Sequence, residues 1–446
     1  MPSAKAIGFW AGRVPLLTAG AVLLPSALAF GQQAATAPPS WLTQSTMTDD
    51  WLGWRSSLEA VGITPSAHFI TESAANPVGG KFSAIRYAQQ IDFGAVFDLG
   101  RLAGLDDGKI QVVLTDRAGR SLSADAIGNF FPVQEIYGAG QNFRLAELNY
   151  QQSLFDNSIR YKLGWSPVGD DFATSPYYCY FTNNAVCGKP PVLAADSGAH
   201  NFPVGQWGAN IKVFPRPELY GATGIYQVNP NAGNSSQGFN LSFNSTGAFV
   251  PIEFGWLPKK GPGGLPGEYK IGGYFNTSKS PDVLRDVTGR SAGLTGLPFD
   301  EHNGRWGGYV LATQMVYLER PDSKRGLTLF GAAVLNDPQT AHFSHSLEFG
   351  AVYQGTFPHR DDDYIGLVFA YGAVNKRLTE FQIDRNIVDP GSTAIQRYEA
   401  LIEVDYNAQI TPWLSLRPNL QYVINPGGTG KIPNAFVVGL HTQVTF

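Results

Sequence analysis

From Tyr398 to the final Phe446, apolar and polar residues alternate over unusually long runs. In "YEALIEVDYNAQI", Tyr398, Ala400, Ile402, Val404, Tyr406, Ala408 and Ile410 share one face, and Glu399, Glu403, Asp405, Asn407 and Gln409 share the other. "LSLRPNLQYVI" sets Leu414, Leu416, Leu420, Tyr422 and Ile424 against Ser415, Arg417, Asn419 and Gln421. "FVVGLHTQVTF" puts Phe436, Val438, Leu440, Thr442, Val444 and Phe446 on one side, and Val437, Gly439, His441, Gln443 and Thr445 on the other. Successive strand side chains point to opposite faces, so each run is a β-strand with one apolar face. About ten residues is the length at which a tilted strand crosses a bilayer, longer than most strands of soluble sandwiches.

The pattern recurs along the chain. It predicts an all-β fold, a transmembrane antiparallel β-barrel of about sixteen strands. The strands are expected to start near Ile63, Arg86, Lys109, Phe143, Ser158, Gln206, Leu219, Gly247, Glu268, Trp306, Gly326, His342, Asp363, Arg397, Leu414 and Asn434. Their connections alternate between short ("FDN", "PRP", "TPW") and long, as at Ala118–Asn142, Ser166–Gly205 and Ser278–Arg305. Short turns on one rim and long loops on the other are the outer-membrane pattern, with the long loops outside the cell. An even count returns both chain ends to the periplasmic rim, where the first and last strands can pair and leave no sheet edge in lipid.

The N-terminus reads differently. Lys5 and Arg13 accompany the apolar run "VPLLTAGAVLLPSALA", which ends in Ala27-Leu28-Ala29. This is the pattern of a secretory signal peptide over 1–29, cut after Ala29. A flexible segment is expected over 30–46, a short periplasmic amphipathic helix over Met47–Gly62, and the barrel over 63–446. Charged residues are 15% of the chain, against about 25% in soluble domains. Without Lys5 and Arg13 the formal net charge moves from −4 to −6, which excludes a nucleic-acid partner. Cys179 and Cys187 are the only cysteines. In an exported protein a loop-closing disulfide is expected of them. A metal site would require more ligands nearby, and no metal or cofactor is expected.

Three stretches carry a family resemblance. "DDWLGWRSSLEAVGI" (Asp49–Ile63), "GDDFATSPYYCYFTNNAVCG" (Gly169–Gly188) and "YEALIEVDYNAQITPWLSLRPNLQYVINPGG" (Tyr398–Gly428) resemble the opening segment, the Cys-bearing loop and the penultimate hairpin of the OprB-type carbohydrate-selective porins. "EIYGAG" at Glu135–Gly140 stands where that family usually has "SIYGAG", and "WLGWR" departs from its double-glycine opening. The resemblance implies a monomeric or trimeric outer-membrane channel of a Gram-negative bacterium that admits mono- or oligosaccharides, such as glucose, by facilitated diffusion. Its surroundings would be outer-membrane lipid and the assembly machinery that reads an aromatic C-terminus.

A sugar channel requires weak, reversible contacts rather than a catalyst. Carboxylates, amides and guanidinium groups can hydrogen-bond sugar hydroxyls. Strand parity nominates Glu72, Asp92, Arg117, Glu147, Arg160 and Lys162 as pore-lining residues. Most inward charges in any porin only solvate the wall, so these are a selection from a polar face. The aromatic loop "SPYYCYFTNN" is expected to pack over a barrel rim rather than dip into the vestibule. Among rival readings, a lipase-type barrel would require a Ser-His-acid triad, and His342 and His345 beside Ser344 and Ser346 do not make one. A plugged transporter would require a globular N-terminal plug, and a barrel this wide does not suit a sealed adhesin. A general diffusion porin would share the fold and differ only in lumen chemistry.

Overall fold

The computed structural model describes residues 40–188 and 190–446. The expected signal peptide and the first part of the 30–46 segment lie outside the described residues. The strands are β1 Ile63–Val78, β2 Ile85–Asp98, β3 Gly108–Gly119, β4 Phe143–Leu154, β5 Ile159–Ser166, β6 Gln206–Arg216, β7 Leu219–Val228, β8 Gly247–Trp256, β9 Gly267–Asp286, β10 Phe299–Leu318, β11 Gly326–Asn336, β12 Phe343–Gln354, β13 Tyr364–Val374, β14 Tyr398–Thr411, β15 Leu414–Ile424 and β16 Ala435–Thr445. Helical segments are α1 Trp54–Ala60, α2 Leu99–Ala103, α3 Pro191–Ser197, α4 Ala292–Thr295 and α5 Lys376–Val388. Each strand pairs antiparallel with its sequence neighbours, and β1 pairs with β16, closing a 16-stranded barrel.

Burial follows the alternation, inverted relative to a soluble protein. Outward side chains such as Phe254, Ile271, Phe349, Leu367, Ile402 and Leu440 are exposed, while inward Gln90, Glu147, Glu253, Glu399, Glu403, Asp405 and Arg417 are buried. Closure satisfies every strand edge, which lipid requires. Stacked outward aromatics, Trp256 on Tyr269 and Tyr317 on Tyr353, band the short-turn end.

All the expected strand starts but one fall within a residue of those observed. The exception is β10, which starts at Phe299 rather than near Trp306. With β9 it forms a hairpin of 20-residue strands that occupies most of the expected Ser278–Arg305 loop. There Ser278, Ser280, Asp282 and Asp286 are buried on one face while Lys279, Pro281 and Arg285 are exposed on the other. Neither face is continuously apolar, so the alternation that marks the membrane strands is missing.

The expected helix over Met47–Gly62 is also shorter. Only Trp54–Ala60 is α-helical, after a tight turn at Trp51–Gly53. Gly53 (φ 91°) and Leu52 (φ 60°) lie in the left-handed region and end the helical path. The segment docks on the short-turn rim across the β1–β16 seam. Trp41 packs on Trp413 with centroids 4.4 Å apart, Met47 N donates to Thr445 O at 2.8 Å, and Arg55 donates to Phe446 O at 2.8 Å.

The largest apolar core lies inside the barrel. Phe131, Phe172, Tyr178, Phe181 and Val186 from the connections 120–142 and 167–205 pack on Tyr226, Phe249, Tyr309, Phe330 and Tyr364 of the wall. The loop expected over a rim is therefore folded into the lumen.

Candidate pore constriction

Wall carboxylates hold the inserted loops by their backbones. Glu403 accepts from Thr182 N (2.7 Å) and Asn183 N (3.1 Å). Glu399 accepts from Phe130 N, Phe131 N and Gly427 N at 2.7–2.9 Å. Glu253 accepts from Ala173 N at 2.8 Å and from the Tyr220 and Tyr309 hydroxyls at 2.7 and 2.8 Å. Arg417 adds the cation: its guanidinium donates to Cys179 O at 2.8 Å and the Tyr364 hydroxyl at 3.0 Å, with Asp405 at 3.8 Å. Charge-assisted bonds to buried backbone groups are the strong class of hydrogen bond. The Cys179–Cys187 disulfide closes the segment between these anchors. The two loops are also bonded to each other, Glu135 N to Thr182 O (3.0 Å) and Asn184 N to Pro132 O (2.8 Å).

Beside this plug, charges of both signs line the β1–β5 wall. Glu72 faces His441 across the β1–β16 ladder, 3.1 Å away, and accepts from Ile136 N at 3.3 Å. On β2 and β3 a chain of bonds runs Arg117 to Gln90 (2.7 Å), Gln90 to Asp92 (2.6 Å) and Thr115 to Asp92. Glu135, carried inward by the first loop, approaches Glu72 and His441, with one polar atom of each within 4.8 Å of the others. Burial pushes the Glu135 carboxyl up, and Arg117 and Arg417 pull it back. The trio has metal-ligand chemistry, but the neighbouring guanidinium groups already supply the positive charge. Arg144, at the start of β4, donates to Asn142 Oδ1, Ala232 O and Asn234 O at 3.0–3.3 Å.

Toward the short-turn end the lumen opens into a cavity of about 420 Å³. Glu147, Arg160, Lys162, Lys212, Glu268 and Lys270 line it, with Phe214 and Tyr220. Lys162 pairs with Asp171 at 2.6 Å, and Lys270 pairs with Glu268. Arg160 lies over the Phe214 ring at 4.4 Å and Lys212 over Tyr220 at 4.4 Å. Polar, charge-balanced and partly aromatic, this surface can hydrogen-bond hydroxyls and face C–H groups.

The profile described as "Carbohydrate-selective porin, OprB family" matches residues 83–446. The chain belongs to that family. It is 35% identical to Porin B of Pseudomonas aeruginosa, over 96% of this chain and 97% of that one. It is 32% identical to the putative porin QuiX of Acinetobacter baylyi, over 95% and 98%. The high-pH structure of Pseudomonas putida OprB superposes with a TM-score of 0.86 at 35% identity, covering 91% of this chain and 99% of that one. The porin is thus a Gram-negative outer-membrane protein of the sugar-channel class.

All six residues nominated by parity point into the lumen of this porin, but they divide. Glu147, Arg160 and Lys162 line the open cavity. Asp92 and Arg117 belong to the bonded chain on the wall above it, and Glu72, 1% exposed, lies beneath the first inserted loop. Glu135, Arg144, Lys212 and Lys270 were not among the nominations. Glu135 had one signal, the acid that stands where the family pattern has Ser. Lys212 and Lys270 were legible by the same parity as Lys162.

Proposed function

We propose that the porin passes small neutral sugars such as glucose by facilitated diffusion, long loops facing outward and the short-turn rim facing the periplasm. The observation that carries this reading is the pair of loops folded into the lumen, beside a chamber lined by paired charges. A wide, water-filled lumen would suit unselective passage. Here a solute exchanges its hydration for contacts with acids, amides and guanidinium groups. Neighbouring charges of opposite sign give no net attraction to an ion, so neutral polyols are favoured over charged solutes. We assign Arg117, Glu135 and Arg144 to the narrow upper part, Glu147, Arg160 and Lys162 to the lower chamber, and Glu72 and Asp92 to holding the wall around them. Residues 1–29 are assigned as a cleaved signal peptide, and Phe446 as the terminus read during barrel assembly.

The test is single-channel current through the mature protein while glucose is titrated in. Saturable block by glucose, absent with an uncharged solute of similar size that is not a sugar, supports a selective site. Current indifferent to every sugar would make this a general diffusion porin instead.

A further inference from the structure

A second concavity, of about 680 Å³, lies on the outer side of the wall near the short-turn rim, between β6 and β9. Register sets Val213, Gly221, Phe254 and Ile271 side by side across four strands. Val213, Phe254 and Ile271 are 40%, 57% and 59% exposed. Gly221 lacks the side chain that would fill the space between its neighbours; a Cβ there would meet only the Phe254 ring, at 3.4 Å. One step nearer the rim, Leu219, Trp256 and Tyr269 lie in register. The outcome is an apolar slot in the lipid-facing belt, floored by a glycine and walled by aromatic rings.

Two turns close its lower end. Leu257 N donates to Glu218 O at 2.7 Å, which fastens the β6–β7 turn to the β8–β9 connection. These two segments carry Arg216, Lys259 and Lys260, all exposed, against the single acid Glu218. Among the described residues none of the three cations has an ion-pair partner, whereas Lys162 and Lys270 inside the lumen do. The apolar slot thus ends at two linked connections that carry three exposed cations.

We propose that this groove holds an acyl chain of an anionic phospholipid from the periplasmic leaflet, with the phosphate on Lys259, Lys260 and Arg216. The inference rests on the outer-membrane orientation above, not on the choice of solute. Basic side chains at a membrane surface favour anionic lipid. A second copy of this chain is the poorer occupant, because a two-fold contact here would bring the same cations together.

The experiment uses folded porin exchanged into detergent with equal amounts of phosphatidylglycerol and phosphatidylcholine, with retained lipid counted by native mass spectrometry. Wild type is expected to retain one phosphatidylglycerol, preferred by about fivefold or more. Lys259→Glu with Lys260→Glu should abolish the preference, and Gly221→Trp should abolish retention. Ile402→Trp, a lipid-facing control on β14, should change neither. Equal retention of the two lipids by wild type, or retention unaffected by Gly221→Trp, would overturn the proposal. So would a dimer or trimer mass in place of the lipid adduct. If Gly221→Trp does not fold, the double lysine variant on its exposed connection decides alone. Glucose block of the current, measured on the same variants, is expected to stay as in wild type, which separates this site from the solute pathway.

Discussion

Arg417 is a buried cation placed between Asp405 of β14 and the loop folded into the barrel. It is 1% exposed and binds two backbone carbonyls, a tyrosine hydroxyl and Asp405. Removing one member of such a buried network leaves charges uncompensated and costs about 3–5 kcal/mol. Arg417→Met is therefore expected to loosen the 167–205 loop. In bilayer recordings it should raise conductance and weaken glucose block, and folded protein should lose its compact gel band at lower temperature. Adding Glu403→Gln, which removes one stranded charge, should recover part of the thermal loss. Wild-type conductance in Arg417→Met would show that the loop is held without it. Arg117 is a different case: it donates to Gln90 and lies near Glu135, and the proposed function sets it beside the passage rather than under the plug. Arg117→Glu should move the reversal potential in a salt gradient toward cation selectivity while the channel still conducts. An unmoved potential would take Arg117 out of the constriction.

At the scale of elements, α3 is the far anchor of the same loop. Asp196 on α3 accepts from His342 N (2.8 Å), Phe343 N (3.0 Å) and Asn336 Nδ2 (3.3 Å). Burial pushes its carboxyl up to about 6, from 3.8. A raised acid disfavours the ionised folded state, so the docked loop is penalised above pH 6 and gains stability as pH falls toward 4, by at most about 3 kcal/mol. Amide exchange across residues 191–197, corrected for intrinsic rate, should slow from pH 7.5 to pH 5, and Asp196→Asn should flatten that dependence. The disulfide acts on the other end. Its cysteines are 8 residues apart, and closing so short a loop contributes about 2–3 kcal/mol. Cys179→Ser with Cys187→Ser should make the current noisier without unfolding the barrel. The disulfide was legible in the cysteine pair, but the loop's insertion and its anchors were not, for a physical reason. Glu399 and Glu403 were readable as inward by parity, but their partners are backbone N–H groups of Phe130, Phe131, Thr182 and Asn183, which leave no residue-specific mark. The strands were legible because lipid on one side and polar surroundings on the other act at every second residue. Where the β9–β10 hairpin leaves that environment, the mark fades and its first seven β10 residues read as loop.

The whole molecule is one closed ladder, and closure is completed by its first and last strands. β1 and β16 pair from His68–Thr445 to Val78–Phe436. Beyond the last rung, Phe446 N donates to Ala67 O at 3.0 Å, and the terminal carbonyl accepts from Arg55. The N-terminal segment therefore lies across the seam as a strap, held at its other end by Trp41 on Trp413, whose indole donates to Trp41 O at 2.9 Å. The strap touches only the seam and the short-turn rim in these contacts, so its effect should be on the seam and not on the pore. Arg55→Ala removes the bonds to Phe446 O and Asp49 O and the contact with the Trp51 ring at a half-exposed site, together worth about 1 kcal/mol. Trp413→Ala removes a buried ring and its hydrogen bond, and should cost about 3–5 kcal/mol. Both variants should lower the temperature at which folded barrel is lost in detergent, Trp413→Ala by more, with single-channel conductance and glucose block as in wild type. Equal thermal transitions in wild type and Trp413→Ala would mean that the β1–β16 ladder alone holds the barrel shut. A change in glucose block would instead place the strap in the solute's path.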